Sequence, residues 1–325
     1  MHELLPSAQR QTLHWLESLA MSSGTTCAIV PVKVLAHAKR RLSSVLPDAA
    51  RQRLVLAMLQ DVLAALVGAQ SIDWVAVVTA DQRVAALAQS HGASVLPEPG
   101  PEFEPELQPE VEPELWLEPR PALVPQLGPQ LGRHAGPEIC PAHPLGARPD
   151  SLPGSLPDSL PVSLPHTLPD PRQQPGFAAL NAAIASGLAY ASSRRARRVL
   201  VLPADVPLTT SSELQSLVQS RGEQAGVTLA PSHDNNGTNG LLLAPPLAIA
   251  PCYGPGSYLQ HLSRAMARRV DVNVVHLEGL ARDIDEPDDL VRLLGDAGAH
   301  KRYAFIAPHV AAAGKPQPTP QGNGQ

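Results

Sequence analysis

Val199-Leu200-Val201-Leu202-Pro203-Ala204-Asp205-Val206-Pro207 is an apolar run that ends on a single carboxylate. Four branched residues in succession read as a central strand buried on both faces. The proline behind them stops the hydrogen-bond ladder where a ligand crevice opens in α/β sheets. Asp205 then falls at the rim of that crevice. A lone aspartate in such a place also serves as a helix cap or turn former. A second carboxylate site further along, Asp283-Ile284-Asp285, shifts the reading towards chemistry.

Outward from this run the chain alternates between strand and helix. Residues 27–33 (Cys-Ala-Ile-Val-Pro-Val-Lys) read as a first buried strand, followed by a loop that holds Lys33, Lys39, Arg40 and Arg41. After Pro47, with Asp48 as a plausible cap, Leu54, Met58, Leu59, Val62 and Leu63 recur at three and four residues and predict a helix. Strands are expected at 74–79 and 93–96, with a helix over 81–90. Leu180, Ile184 and Leu188 lie on one face of a helix that starts near Gly176. Beyond Asp205 come a helix over 211–219 capped by Ser211 or Ser212, strands at 227–230 and 240–243, a helix over 257–268, a strand at 272–277, and a helix over 286–294. Such alternation marks βαβ units around a mainly parallel sheet, an α/β fold of Rossmann-like type.

The prolines interrupt that pattern in one place. Of 36 in the chain, 21 fall within residues 97–175, a stretch that also carries 12 acidic and 4 basic residues. The formal net charge of −5 therefore describes this stretch and not the remainder, which is slightly basic. Tetrapeptides such as Pro-Glu-Phe-Glu and Pro-Glu-Leu-Gln, and later Ser-Leu-Pro repeats, remove backbone donors too often for helix or sheet. The stretch reads as a disordered, Pro-rich low-complexity insertion inside one domain, because strand–helix alternation resumes after it. Residues 1–24 are expected to be an N-terminal extension and residues 307–325 a disordered tail. The domain over 25–306, less its insertion, keeps about 200 residues, enough for one α/β core.

Cys27, Cys140 and Cys252 have no metal-ligand spacing and cannot all pair, so a reducing cytoplasmic setting is expected. No run approaches the roughly 18 apolar residues of a membrane span. Neither a membrane nor a nucleic acid is expected as a partner; small-molecule substrates are, and a homodimer is a further expectation.

Asp205, Asp283 and Asp285 are hard oxygen ligands without cysteine or histidine beside them, which suits Mg²⁺ rather than zinc. Asp283 and Asp285, two apart in an extended segment, project to one side. Pro287 and the acids after it offer a competing role for Asp285 as helix cap. Lys33, Lys39 and Arg41 after the first strand are candidates to neutralise a triphosphate. Neither a P-loop pattern nor a G-x-G-x-x-G fingerprint is present. Asn236-Gly237-Thr238-Asn239 and Gly254-Pro255-Gly256-Ser257 combine glycine with a hydroxyl, and the second opens a helix where free amides can hold an anion.

Five segments occur in the order seen in the CofC/FbiD guanylyltransferases: Val30-Pro31-Val32-Lys33 with Ala38-Lys39 and Arg41-Leu42; Leu202 to Leu208; Gly237-Thr238-Asn239; Tyr253-Gly254-Pro255-Gly256-Ser257; and Asp283-Ile284-Asp285-Glu286-Pro287. The chain resembles that family over essentially all of its core. The resemblance implies a glycosyltransferase-A-type nucleotidyltransferase fold. It also implies transfer of GMP from GTP to a phosphorylated three-carbon acid (phosphoenolpyruvate, 2-phospho-L-lactate or 3-phospho-D-glycerate) in coenzyme F-420 biosynthesis. By the same resemblance Asp205, Asp283 and Asp285 correspond to the metal-binding aspartates, which with Lys33 make up the expected catalytic set. Thr238, Gly254 and Ser257 correspond to the residues that hold the acid. The rivals are a sugar-phosphate or molybdopterin nucleotidyltransferase of the same fold, whose L-x-x-G-x-x-x-R loop has no glycine counterpart at 33–39, and a non-catalytic Pro-rich scaffold.

Overall fold

A computed structural model describes residues 25–100, 175–296 and 298–313. The N-terminal extension, nearly all of the Pro-rich insertion and the end of the tail lie outside the described residues. Strand β1 (Thr26–Pro31) is laid down first and stays central. Helix α1 (Asp48–Gly68) leads to β2 (Trp74–Val78), and α2 (Gln82–Ser90) leads to β3 (Ser94–Leu96), each new strand parallel to the last and further from β1. The chain then returns through α3 (Pro175–Ser193) to place β4 (Arg198–Val201) on the other flank of β1. Helix α4 (Ser211–Gln219), β5 (Gly226–Pro231), β6 (Thr238–Ala244), α5 (Ser257–Ala267) and β7 (Val272–Val274) complete a sheet of order β3-β2-β1-β4-β6-β5-β7. Helices α6 (Pro287–Gly295), α7 (His300–Tyr303) and α8 (Ala307–Ala313) follow.

Only β6 runs against its neighbours among the described strands. The reversal between β1 and β4 is a topological switch point, where carboxyl ends of adjacent strands splay apart and a ligand crevice forms. Antiparallel β6 brings its amino end, Thr238 and Asn239, to that same edge.

Period-two alternation divides the core into two layers. Ala28, Val30, Leu200, Leu202 and Leu242 face α1, α4 and α6. Cys27, Ile29, Val199, Val201, Leu241 and Leu243 face the α3 and α5 side. Burial on both faces is why these strands read as continuous apolar runs.

Several local expectations shift by a residue or more. Helix α4 is capped by Thr210, which accepts from Glu213 N–H at 3.2 Å while the Glu213 carboxylate accepts from Thr210 N–H at 2.9 Å; neither Ser211 nor Ser212 is the cap. Pro47, not Asp48, holds the cap position of α1, and Glu286, not Asp285, that of α6. The tail expected to lack structure from residue 307 is helical through Ala313. Among the described residues no helix is long and apolar enough to cross a membrane.

Helix α3 approaches β1 through Gly187, where an added Cβ meets Ile29 Cγ2 at 2.6 Å. Ile29 is fully buried and cannot move aside cheaply. Gly187→Ala sets a helix-propensity gain of up to about 1 kcal/mol against an overpacking cost of about 1–3 kcal/mol. The expected outcome is net destabilisation, read as a lower urea midpoint at unchanged m-value; a raised midpoint overturns this account of the α3–β1 contact.

Candidate functional site

The loops that follow β1 and β4 meet at the switch point. Lys39 stands between two short 3₁₀ turns (Leu35–His37 and Arg40–Ser44) in a left-handed conformation, φ 50° and ψ 45°. A non-glycine residue there carries strain of order 1 kcal/mol, which the surrounding contacts must offset. The contacts are two ion pairs: Lys39 Nζ lies 2.6 Å from Asp205 Oδ2 and 2.6 Å from Asp285 Oδ1. The lysine side chain is only 9% exposed, whereas that of Asp285 is 43% exposed.

The segment that carries Asp285 is pinned along its length. Gly279 N–H donates to Glu213 Oε1 at 2.7 Å, His233 N–H to the Ala281 carbonyl at 2.9 Å, and Ile284 N–H to the Asp205 carbonyl at 3.0 Å. The backbone amides of Asp285 and Glu286 both donate to Asp289 Oδ2, at 3.0 and 2.8 Å. With α6 started this way, the Asp285 carboxylate is not needed as a cap and turns to Lys39.

Charge states follow from these contacts. Burial pushes the Lys39 ammonium towards neutrality, but Asp205 and Asp285 together raise it well above the ordinary lysine range. Burial pushes the Asp285 carboxyl up, and Lys39 with Arg41 outweighs this and holds it below the usual carboxylate range. Asp283 shifts the other way, raised by burial and then by the Asp205 charge, with Asn239 opposing. Lys33, near the Phe177 ring at 5.8 Å, is lowered by burial, with Glu98 opposing.

A cavity of about 450 Å³ opens over these groups, lined by Lys33, Lys39, Arg41, Asp205, Asp285 and Tyr253 among others. That volume is in the range of small-molecule sites. Arg41 is at the rim, 3.9 Å from Asp285. Asp283 is not part of its wall. The Asp283 carboxylate accepts from Asn239 Nδ2 at 3.1 Å and borders a separate cavity of about 230 Å³ with Arg282 and Arg292. Thus two of the three aspartates converge on one cation and the third stands behind them. Their oxygen-only donor set suits a hard divalent ion in kind and in sign. The point of convergence is held by the Lys39 ammonium. Among the described residues no three His, Cys, Asp or Glu side chains gather closely enough to hold a metal.

Thr238, Gly254 and Ser257 form a second cluster, also outside that cavity wall. Thr238 Oγ1 lies 2.9 Å from His261 Nδ1 and 3.5 Å from Ser257 Oγ, all three side chains buried. Gly254, at φ 144°, and Gly256, at φ 71°, shape the turn into α5. Gly256 N–H donates to Asn236 Oδ1 at 3.0 Å, which fastens this turn to the β5–β6 connection. Asn181 of α3 clasps the Tyr253 peptide: its Nδ2 donates to the carbonyl at 2.9 Å and its Oδ1 accepts from the amide at 2.8 Å. Tyr253 joins the two clusters, since it lines the cavity while its ring packs on His261 and its neighbour Gly254 belongs to the second. No sequence-based expectation covers Asn181 or His261, and Asn239 enters only as part of a loop, without its contact to Asp283. His261 had a signal, since four residues after Ser257 is one helical turn on the same face; Asn181 had none.

A family model described as "Guanylyl transferase CofC like" matches residues 26–108 and 175–321. The phosphoenolpyruvate guanylyltransferase of Sphaerobacter thermophilus is 29% identical over 273 residues, covering 84% of this chain and 94% of its own. The 2-phospho-L-lactate guanylyltransferase of Methanothermobacter thermautotrophicus is 26% identical over 278 residues, covering 85% of this chain and 88% of its own. Among solved structures, a putative nucleotide-diphospho-sugar transferase from Desulfovibrio desulfuricans superposes with a TM-score of 0.53 at 11% identity, covering 89% of this chain and 96% of that one. That likeness shows the fold. The match to the family pauses over 109–174, between β3 and α3, so this part of the Pro-rich stretch interrupts a fold whose two halves are both recognised.

His261 is fully buried, and burial together with Arg264 pushes its pKa down to about 3. Unfolded histidine binds a proton below about pH 6.5, so between these values the unfolded state holds one proton more than the native state. Stability from this group is complete above pH 6.5 and is lost as pH falls towards 3. Measured by urea unfolding at pH 6.5, 5.5 and 4.5, the wild type is expected to lose about 1 kcal/mol more per pH unit than His261→Gln. Parallel pH dependences overturn the neutral, buried assignment.

Proposed function

The chain belongs to the CofC-like guanylyl transferase family, and on that premise we propose that it transfers GMP from GTP to the phosphate of a phosphorylated three-carbon acid in coenzyme F-420 biosynthesis, releasing pyrophosphate. The acids of this class are phosphoenolpyruvate, 2-phospho-L-lactate and 3-phospho-D-glycerate. The observation that carries the reading is the convergence of Asp205 and Asp285 on a single cation at the wall of the 450 Å³ cavity, with Lys33 and Arg41 along the same wall.

Both substrates are anions, so bringing them together is the main electrostatic cost. In this reading Lys33, Lys39 and Arg41 face the triphosphate, and Thr238, Gly254 and Ser257 hold the acid. Asp205 and Asp285, the two that converge, would hold Mg²⁺, which when bound supplies charge neutralisation on the triphosphate oxygens. An oxygen of the acid's phosphate attacks the α-phosphorus; the new P–O bond forms as the bond to the β-phosphate oxygen breaks, and pyrophosphate leaves with that electron pair. No general base is required, because a phosphate monoester is already largely dianionic at neutral pH. The protein's contribution is alignment and charge compensation.

Incubating each of the three acids with GTP or ATP and identifying the product by mass tests the reaction class. A guanylylated acid with stoichiometric pyrophosphate is expected, and the absence of any nucleotidylated acid overturns the reading. Asp205→Asn and Asp285→Asn are each expected to keep the fold and to lower kcat/KM by about 10²-fold or more. EDTA should abolish wild-type turnover and Mg²⁺ restore it. Full activity of Asp205→Asn, or turnover in EDTA, removes the metal from the scheme.

A further inference from the structure

Among the described residues His261 is the one buried histidine, it touches the second cluster at Thr238, and its two ring nitrogens are not equivalent. Cys252 N–H points at Nε2 from 2.8 Å. A backbone amide can only donate, so Nε2 must offer a lone pair. The ring is fully buried, packs edge-on against Tyr253 with centroids 5.1 Å apart, and has Arg264 as its charged neighbour. In those surroundings the ring is neutral, and a neutral ring whose Nε2 is bare carries its proton on Nδ1. Nδ1 is 2.9 Å from Thr238 Oγ1.

We propose that His261 is a positioning residue that fixes the Thr238 hydroxyl as a donor: Nδ1–H occupies one lone pair of Oγ1, so the hydroxyl hydrogen is directed away from His261, towards an anionic oxygen of the acceptor acid. With the opposite tautomer Thr238 donates to the ring and presents only lone pairs to the site, which repel an anion. The Cys252 amide therefore sets the polarity of a relay that runs from Cys252 N–H through His261 to Thr238, every hydrogen pointing the same way. Ser257 O–H, which points at Thr238 Oγ1 from 3.5 Å as a donor, does not compete for that hydrogen. This inference rests on the reading that Thr238 holds the acid.

Two measurements test it. In the ¹⁵N-histidine-labelled wild type, with the His261 signal assigned by its loss in His261→Gln, the ring is expected to show a protonated Nδ1 and a bare Nε2 that do not titrate between pH 8 and 5. A protonated Nε2, or titration near pH 6.5, overturns the proposal, and this needs no variant to be active. Kinetically, Gln retains an acceptor near the Nε2 position and Asn retains a donor near Nδ1. His261→Gln is expected to raise the KM for phosphoenolpyruvate about tenfold or more, the scale of a lost hydrogen bond to a charged group, with the GTP KM within about twofold. His261→Asn should recover most of that loss. In a Thr238→Val background, His261→Gln should add less than about twofold, because its effect passes through the missing hydroxyl. An undiminished effect in that background, or equal loss for both substrates, overturns the proposal. If Thr238→Val alone leaves the KM for phosphoenolpyruvate unchanged, the premise that Thr238 holds the acid falls, while the tautomer seen by NMR stands or falls separately.

Discussion

The Lys39 ammonium between Asp205 and Asp285 ties together three stretches of chain separated by 166 and 246 residues. Each partner needs the others. The lysine is nearly buried and could not remain charged there alone, and two carboxylates turned to one point repel each other unless a cation lies between them. The left-handed backbone at Lys39 is tolerated because the ion pairs on both sides hold it. Whatever occupies this point must be positive. That single requirement makes the crevice at the switch point a place for cations flanked by anions, whether the cation comes from the chain or from solution.

The sheet topology supplies the parts. Parallel β1 and β4 deliver their following loops to one edge, and antiparallel β6 delivers its beginning to that edge. Asn239, at the second position of β6, then reaches the Leu280 carbonyl at 3.0 Å as well as Asp283. Glu213 both completes the cap of α4 and accepts from Gly279 N–H, so the helix after β4 holds the start of the strap that carries Asp285. An added Cβ at Gly279 meets the Leu208 carbonyl at 2.2 Å, so this close approach admits only glycine. The loops of the site are fastened to helix starts, whose free amides and caps are available for that purpose.

What could be read from the sequence had a local physical cause. Buried parallel strands write themselves as apolar runs, and β1, β2 and β4 were legible for that reason. Lys39, Asp205 and Asp285 stood in segments whose charge and position after strands marked them. Asn181 did not, because an asparagine inside a helix carries no sign that its amide clasps the Tyr253 peptide 72 residues later. The cap of α4 slipped because serine and threonine beside a helix start are equivalent by type; only the extended backbone at Thr210, φ −104° and ψ 154°, selects it. Asp283 was expected beside Asp285 because alternate residues of an extended segment share a side. Asn239 draws its carboxylate away, a contact made across the sheet and invisible from spacing.

The two clusters divide the work by the kind of charge each presents. Along the cavity wall, Lys33, Lys39 and Arg41 are full positive charges set against carboxylates, an arrangement suited to a polyanion and its counter-ion. Around Thr238 and Ser257 the groups are neutral hydroxyls backed by a neutral imidazole, buried and without a formal charge. A neutral donor array discriminates by direction rather than by strength, since a hydroxyl turned the wrong way offers a lone pair in place of a proton. Under the proposed function, strong fields on one side would gather the triphosphate and fixed dipoles on the other would orient the smaller acid. Tyr253 spans the two clusters, lining the cavity while its ring packs on His261 and its peptide is held by Asn181, so the distance between them is set by packing within the chain.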